Sequence, residues 1–73
     1  MEEILKSSGF KLITSTCIDG KLVKTWTKTI CSNKYEVKVY PQKNSFAIFH
    51  QEKSFTSGTE SDLIRRLINY KLV

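Results

Sequence analysis

Alternation of apolar and polar residues is clearest between Leu22 and Tyr40, where it predicts two adjacent antiparallel strands. β-branched and aromatic residues are abundant in both segments, as is typical of a pleated surface with one buried face. Asp19-Gly20 predicts a two-residue turn before the first segment, and Ser32-Asn33 predicts another between the two segments. The resulting register places seven apolar residues on one sheet face: Ile13, Leu22, Trp26, Ile30, Tyr35, Val37 and Val39.

The two turns also predict individual cross-strand pairs. The first turn pairs Cys17 with Leu22 and Ile13 with Trp26, and the second turn pairs Trp26 with Val39. Successive side chains of a strand point to opposite faces. We therefore expect a slip of one residue in either turn to invert the assignment of faces.

Two more strands flank this hairpin in the predicted fold. Residues 10–18 form the first strand. The apolar segment 45–51 forms a fourth strand, in which either Phe46 and Ile48 or Ala47 and Phe49 face the core. Residues 52–58 are polar and predict a connection. The expected fold class is α+β, with a four-stranded antiparallel β-meander in the order α-β-β-β-β-α, and residues 1–73 are expected to form a single domain.

Helices are predicted at both ends of the chain. Glu2 to Ser8 is expected to form a short helix that ends at Gly9. A longer C-terminal helix is predicted from Glu60 to Leu72, with Thr59 or Ser61 as its N-cap. This helix should pack on one face of the sheet, over Trp26, through an apolar stripe made of Leu63, Ile64, Leu67 and Ile68.

Positive charge is concentrated in the sheet region. The net charge of the 73 residues is +5. Between residues 11 and 43 there are seven lysines (Lys11, Lys21, Lys24, Lys28, Lys34, Lys38 and Lys43) and two acids, Asp19 and Glu36. This excess suggests an acidic macromolecule as partner, either a host protein or a nucleic acid. Alternatively, the lysines keep a small protein soluble and protect its strand edges.

No sequence feature indicates a membrane span or a secretory signal. No apolar run approaches the ~18 residues that a span requires, and the chain starts with an acidic segment. Cys17 and Cys31 fall at opposite ends of the middle strand, about 30 Å apart at ~3.3 Å per residue, which is too far for a disulfide. We predict two free thiols, a reducing cytoplasmic location, and no metal or other cofactor, since two cysteines and one histidine match no zinc pattern.

The sheet face opposite Trp26 is the candidate binding surface. Threonine and tyrosine hydroxyls can contact a nucleic acid or a protein, lysines supply positive charge, and an aromatic residue of the fourth strand adds an apolar spot. The same pattern is also typical of the solvated side of a sheet. The residues predicted to contact a partner are Thr25, Thr27, Lys24, Lys28, Lys34, Lys38, Tyr40 and Phe49.

Trp26 has two interpretations. On the uncovered face it would be a stacking platform flanked by Lys24 and Lys28, as in proteins that bind single strands. In the core it would be the largest packing residue, with the two lysines extending past the helix to water. The register predicted from the two turns favours the core.

A catalytic function would depend on His50, the only imidazole in the chain. Neither Asp19 nor Asp62 is obviously placed to orient it, and no glycine-rich phosphate loop is present. The order of a short helix ending in Gly9-Phe10, a meander and a final helix resembles the double-stranded-RNA-binding-domain-like class, which includes small mRNA-cleaving toxins. The chain has an additional strand and no Gly-Ser-His stretch, and we assign it to no family.

These observations predict a small basic non-enzymatic binding module. Accessory or inhibitor proteins of phages and mobile elements are of this kind, and they act by occupying a protein or a protein–nucleic-acid complex. One alternative is direct nucleic-acid binding through the basic sheet face. Another is a small RNA-cleaving enzyme of the toxin type. Homodimerisation through the open sheet or its edges is a further possible use of the fold.

Overall fold

A computed structural model describes residues 1–73 as an α+β fold in which two short helices pack on one antiparallel sheet. The sheet has five strands in the sequential order β1-β2-β3-β4-β5, and each strand pairs antiparallel with the next. Short 3-10 segments precede β4 and α2, at Pro41–Lys43 and Glu60–Asp62. The helices and strands are α1 Glu2–Ser7, β1 Lys11–Ile18, β2 Lys21–Ile30, β3 Asn33–Tyr40, β4 Ser45–His50, β5 Lys53–Thr59 and α2 Leu63–Asn69.

The fifth strand corrects the sequence prediction, which had four strands and a polar connection over residues 52–58. That segment forms β5 and pairs with β4. The turn between them is Gln51-Glu52, and both residues have positive φ angles, of 52° and 65°. Tight hairpin turns normally use glycine or asparagine in this conformation. A Gln-Glu pair therefore gave no turn signal in the sequence.

The turn between β2 and β3 lies one residue earlier than predicted. Cys31 and Ser32 have the positive φ angles, and Trp26 pairs with Val37 rather than with Val39. Moving a two-residue turn by one residue changes each cross-strand partner by two positions. The side chains therefore keep their faces, and the expectation that such a slip would invert them was wrong.

The first hairpin follows its prediction near the turn and departs from it further along. Cys17 pairs with Leu22 across the Asp19-Gly20 turn, as predicted. A β-bulge between residues 12 and 14 then makes Leu12, not Ile13, the partner of Trp26. Because the bulge adds a residue without a cross-strand partner, Ile13 does not pair with Trp26, and it is 52% exposed.

Both helices pack on the same sheet face and close one hydrophobic core. Trp26 is 2% exposed there, which confirms the core interpretation. In β4 the side chains of Phe46 and Ile48 point into the core, so Ala47 and Phe49 lie on the other face. The buried apolar residues come from the two helices, from β2 to β4 and from the residues that follow each helix: Leu5, Phe10, Trp26, Val37, Val39, Phe46, Ile48, Leu63, Leu67 and Leu72.

The C-terminal helix is shorter than predicted, and only half of its predicted stripe is buried. Leu63 and Leu67 face the core, whereas Ile64 and Ile68 are 52% and 57% exposed. The helix stops because Lys71 adopts a positive φ, after which the Leu72 amide returns to the Leu67 carbonyl at 2.8 Å. This is a Schellman ending, which turns Leu72 into the core.

The N-terminal end of the same segment forms a capping box, with Thr59 as the predicted N-cap. The backbone amide of Thr59 donates to the carboxylate of Asp62, and Arg65 forms an ion pair with that carboxylate. The amide hydrogen bond from Thr59 lowers the pKa of Asp62. Partial desolvation opposes this shift, and the Thr59 hydroxyl and Arg65 reinforce it.

The two cysteines lie at separate turns and are both free and exposed, as the predicted register requires. No helix of the structure has the length and apolar character needed to cross a membrane.

Candidate binding surface on the open sheet face

The structure divides the residues predicted to bind a partner between the two sheet faces. Side chains alternate along β2, so Lys24 and Lys28 share the helix-covered face with Trp26. Thr25 and Thr27 lie on the opposite face, which carries no helix and which we call the open face. Cross-strand pairing places the rest of the predicted set on the open face: Lys34, Lys38, Tyr40 and Phe49.

Lys28 is engaged inside the protein, between the C-terminal ends of the two helices. Its ammonium donates to the Ser8 carbonyl at 2.5 Å and to the Leu72 carbonyl at 2.8 Å. Helix C-termini have unpaired carbonyls and a partial negative charge, which a lysine can satisfy. The ammonium also lies 5.7 Å from the centre of the Phe10 ring. This arrangement explains the position of Lys28 without a partner.

Lys24 is also paired within the protein. Its ammonium lies 2.7 Å from the carboxylate of Glu2 in α1. The contact joins the first helix to the sheet at the margin of the covered face. Two of the four lysines predicted to meet a partner therefore hold the helices on the sheet.

On the open face, Lys38 lies over an aromatic ring. Its ammonium is 5.1 Å from the centre of the Phe49 ring, one strand away. A cation over an aromatic face is electrostatically favourable. The ring is half-buried, so the pair forms an amphipathic spot near the middle of the sheet.

Hydroxyl groups surround this spot. Thr14 and Thr25 are paired across β1 and β2, and Thr25 is paired with Lys38 on its other side. Thr25 is 9% exposed, so its hydroxyl offers little surface to a partner. Thr27 and Tyr40 are half-buried and present more of their side chains.

Positive charge exceeds negative charge on the open face. Glu36 is the one acidic residue that the strands place on this face. Its carboxylate lies 3.8 Å from the ammonium of Lys34. Pairing with β2 also puts Lys11 on this face, opposite Thr27. The lysines that the strands contribute to the open face are Lys11, Lys21, Lys34 and Lys38.

A second cluster, which no sequence pattern indicated, forms a shallow aromatic cleft where the helix-covered face meets α2. The rings of Tyr35 and His50 stack with their centres 4.7 Å apart, and Phe55 meets Tyr70 edge-on at 4.9 Å. These four residues and Lys53 line a cavity of about 240 Å³. The cleft depends on β5 and on the end of α2, the two elements whose bounds the sequence did not reveal.

The imidazole of His50 packs against an aromatic ring in this cleft. Its Nε2 is buried and makes no hydrogen bond, and no carboxylate is among the lining residues. Its ring stacks on the ring of Tyr35. No group of three or more histidine, cysteine or acidic side chains is arranged to hold a metal ion.

Comparisons with family models, with curated proteins and with solved structures found no match to this chain.

Proposed function

We propose that the protein is a small non-enzymatic binding module that docks its open face against an acidic surface of another protein. The observation that carries this proposal is the division of the sheet. One face is covered by the two helices and forms the core. The other face carries four lysines and one acidic residue, together with the Lys38–Phe49 pair. Such a surface combines electrostatic attraction for an acidic partner with an apolar contact at its centre.

The arrangement of the lysines favours a protein over a nucleic acid as the partner. Lys24 and Lys28, which would have strengthened a phosphate-binding track, are paired to α1 and to the helix ends. Both arginines of the chain are in α2, away from the open face. Arginine is the side chain best suited to bidentate phosphate contacts. The remaining lysines provide charge without that geometry.

Direct nucleic-acid binding is the second candidate, because one observation favours it. Tyr40 and Phe49 are aromatic residues on the same flat face as Lys38. Single-stranded nucleic acids bind such faces by stacking a base on a ring and placing a phosphate near a cation. This mode would weaken steeply as salt is added, because counterions are released from the phosphates.

Two matched double variants test both candidates. Lys11→Gln with Lys38→Gln removes two positive charges from the open face. Lys6→Gln with Lys53→Gln removes the same charge elsewhere. Labelled glutamate-rich peptide, single- and double-stranded DNA, and RNA serve as probes at low and moderate salt. We expect the peptide to bind the wild type and the control variant, and to bind the open-face variant at least ten-fold more weakly.

The outcomes of this experiment are distinct. Equal loss of peptide binding in both double variants would mean that only net charge matters and would overturn the proposed surface. Micromolar binding of DNA or RNA, steeply salt-dependent and lost in the open-face variant, would replace the protein partner by a nucleic acid. In that case the same face would still be the binding surface.

A further inference from the structure

The first strand, β1, is an exposed sheet edge that has a bulge between residues 12 and 14 and is regular from Thr14 to Ile18. It pairs with β2 on one side only, and all eight of its residues are exposed. Three of the large exposed apolar residues of the protein lie on it: Leu12, Ile13 and Ile18. From Leu12 to Ile18 the strand contains no charged residue, proline or glycine. Natural proteins usually place such residues on an edge to prevent pairing with another strand.

The opposite edge, β5, is less exposed, since two of its seven residues are half-buried. It begins with Lys53 and contains Gly58. Its end runs directly into the capping box of the last helical segment, where the Glu60 amide donates to the Asn44 carbonyl at 2.7 Å. The two edges are therefore not equivalent, and β1 is the one available to another strand.

The backbone groups that β1 directs outward can be assigned from the hairpin. Pairs in an antiparallel ladder alternate between those that exchange hydrogen bonds and those that do not. Ile18 and Lys21 close a two-residue turn, so they form a bonded pair. The alternation makes the pairs of Cys17 and Ser15 with β2 non-bonded. The backbone N–H and C=O groups of these two residues therefore point away from β2. Ser15 lies midway along the neutral segment.

We propose that a second copy of this chain pairs with β1 through antiparallel hydrogen bonds, with the twofold axis at Ser15. Charge at the two ends of the strand selects this orientation, because Lys11 precedes the neutral segment and Asp19 follows it. An antiparallel copy brings each ammonium toward the other copy's carboxylate, whereas a parallel copy would place like charges together. Thr14 of one copy then faces Thr16 of the other, and both side chains lie on the open face.

This pairing would join two five-stranded sheets into one ten-stranded sheet. Strand twist is continuous across a paired edge. The two open faces would therefore form one extended surface with two Lys38–Phe49 pairs. The pairing does not depend on the proposed function, since it uses backbone groups and the edge residues of β1 alone.

Disulfide trapping tests the register directly. The variant is Ser15→Cys with Cys17→Ser and Cys31→Ser, and its matched control carries Ser54→Cys on the β5 edge in the same background. Residues opposite each other in a bonded antiparallel pair have Cα atoms ~5.5 Å apart, which suits a disulfide. We expect Ser15→Cys to form a covalent dimer at least ten-fold faster than Ser54→Cys on mild oxidation. Equal rates would overturn the proposal.

A measurement without cysteine chemistry gives an independent result. Light scattering of the wild-type protein should show a mass that rises with concentration toward about twice the 8.4 kDa of one chain. Ser15→Lys places like charges at the axis and should keep the monomer mass, whereas Ser54→Lys should behave as wild type. A wild-type mass of 8.4 kDa throughout the micromolar to millimolar range would contradict the dimer.

Discussion

Lys28 and Lys38 illustrate how differently the two faces of one sheet use the same residue type. In the sequence both are lysines within alternating strands. In the structure the ammonium of Lys28 lies between two helix ends, and that of Lys38 lies over the Phe49 ring on the open face. Each lysine contributes one positive charge to the net charge of the chain. Only the position of the helices decides which lysine is available to a partner.

The aromatic residues show the same division. Trp26 and Phe49 both belong to central strands, but Trp26 lies under the helices and Phe49 lies on the face without them. The covered face therefore supplies stability, and the proposed contact surface lies on the open face. The following changes should separate the two roles, and those with the greatest expected loss of stability come first.

Removing the indole should have the largest effect on folding. Trp26→Ala deletes the largest side chain of the core and should cost about 3–5 kcal/mol of unfolding free energy. Phe49→Ala should cost less, because its ring is only half-buried. Urea unfolding followed by circular dichroism measures both. A Trp26→Ala protein as stable as the wild type would mean that the two faces do not differ as described.

Removing Lys28 should have an intermediate effect. Lys28→Met keeps the aliphatic stem but leaves the Ser8 and Leu72 carbonyls without their ammonium donor. Hydrogen bonds involving a charged group contribute about 1.5–3 kcal/mol. Lys38→Met should change the unfolding free energy by less than about 0.5 kcal/mol, as is usual for surface substitutions. Equal losses for the two variants would remove the distinction between a structural and a surface lysine.

Loss of the N-cap should reduce stability less than loss of Lys28, and it should also change a titration. Thr59→Ala should cost about 1 kcal/mol. The Thr59 amide and hydroxyl hold the pKa of Asp62 low, so the pKa should rise in the variant because the hydroxyl is lost. Carboxyl NMR chemical shifts followed against pH measure this change. An unchanged pKa of Asp62 would mean that the hydroxyl does not stabilise the carboxylate.

The lowered pKa of Asp62 also determines how its contribution to folding stability changes with pH. A carboxyl whose pKa is lower in the folded state stabilises the fold fully above its ordinary pKa of 3.8. That contribution is lost as the pH falls through the lowered folded pKa, where Asp62 becomes protonated. Thr59→Ala should therefore show a weaker decline in stability over this acidic range than the wild type.

For β2 and β3, the sequence predicted the sheet face of each residue correctly but not its cross-strand partner. A turn misplaced by one residue, at Cys31-Ser32, left the faces unchanged because the shift in pairing was even. Ile13 was wrongly predicted to pair with Trp26, because the bulge adds one residue to β1 and makes Leu12 the partner. The strand β5 was missed because Gln51 and Glu52 form its turn without glycine or asparagine.

The candidate site was predicted only in part, for a physical reason. Strand alternation was enough to place Thr25, Thr27 and Lys38 on one face. The role of Lys28 depends on carbonyls 20 and 44 residues away in sequence, and no local pattern contains them. The aromatic cleft likewise combines residues of three strands and the end of α2. Such contacts arise from tertiary packing, which composition and periodicity do not encode.

NMR mapping would show which face of the sheet meets an acidic peptide. Backbone amide shifts of the labelled protein would be followed while the glutamate-rich peptide is added. We expect the shifted residues to cluster on the open face, around Thr27, Lys38 and Phe49, and the amides of α1 and α2 to stay unchanged. Shifts centred on the helices, with the open face unaffected, would rule out the proposed binding surface.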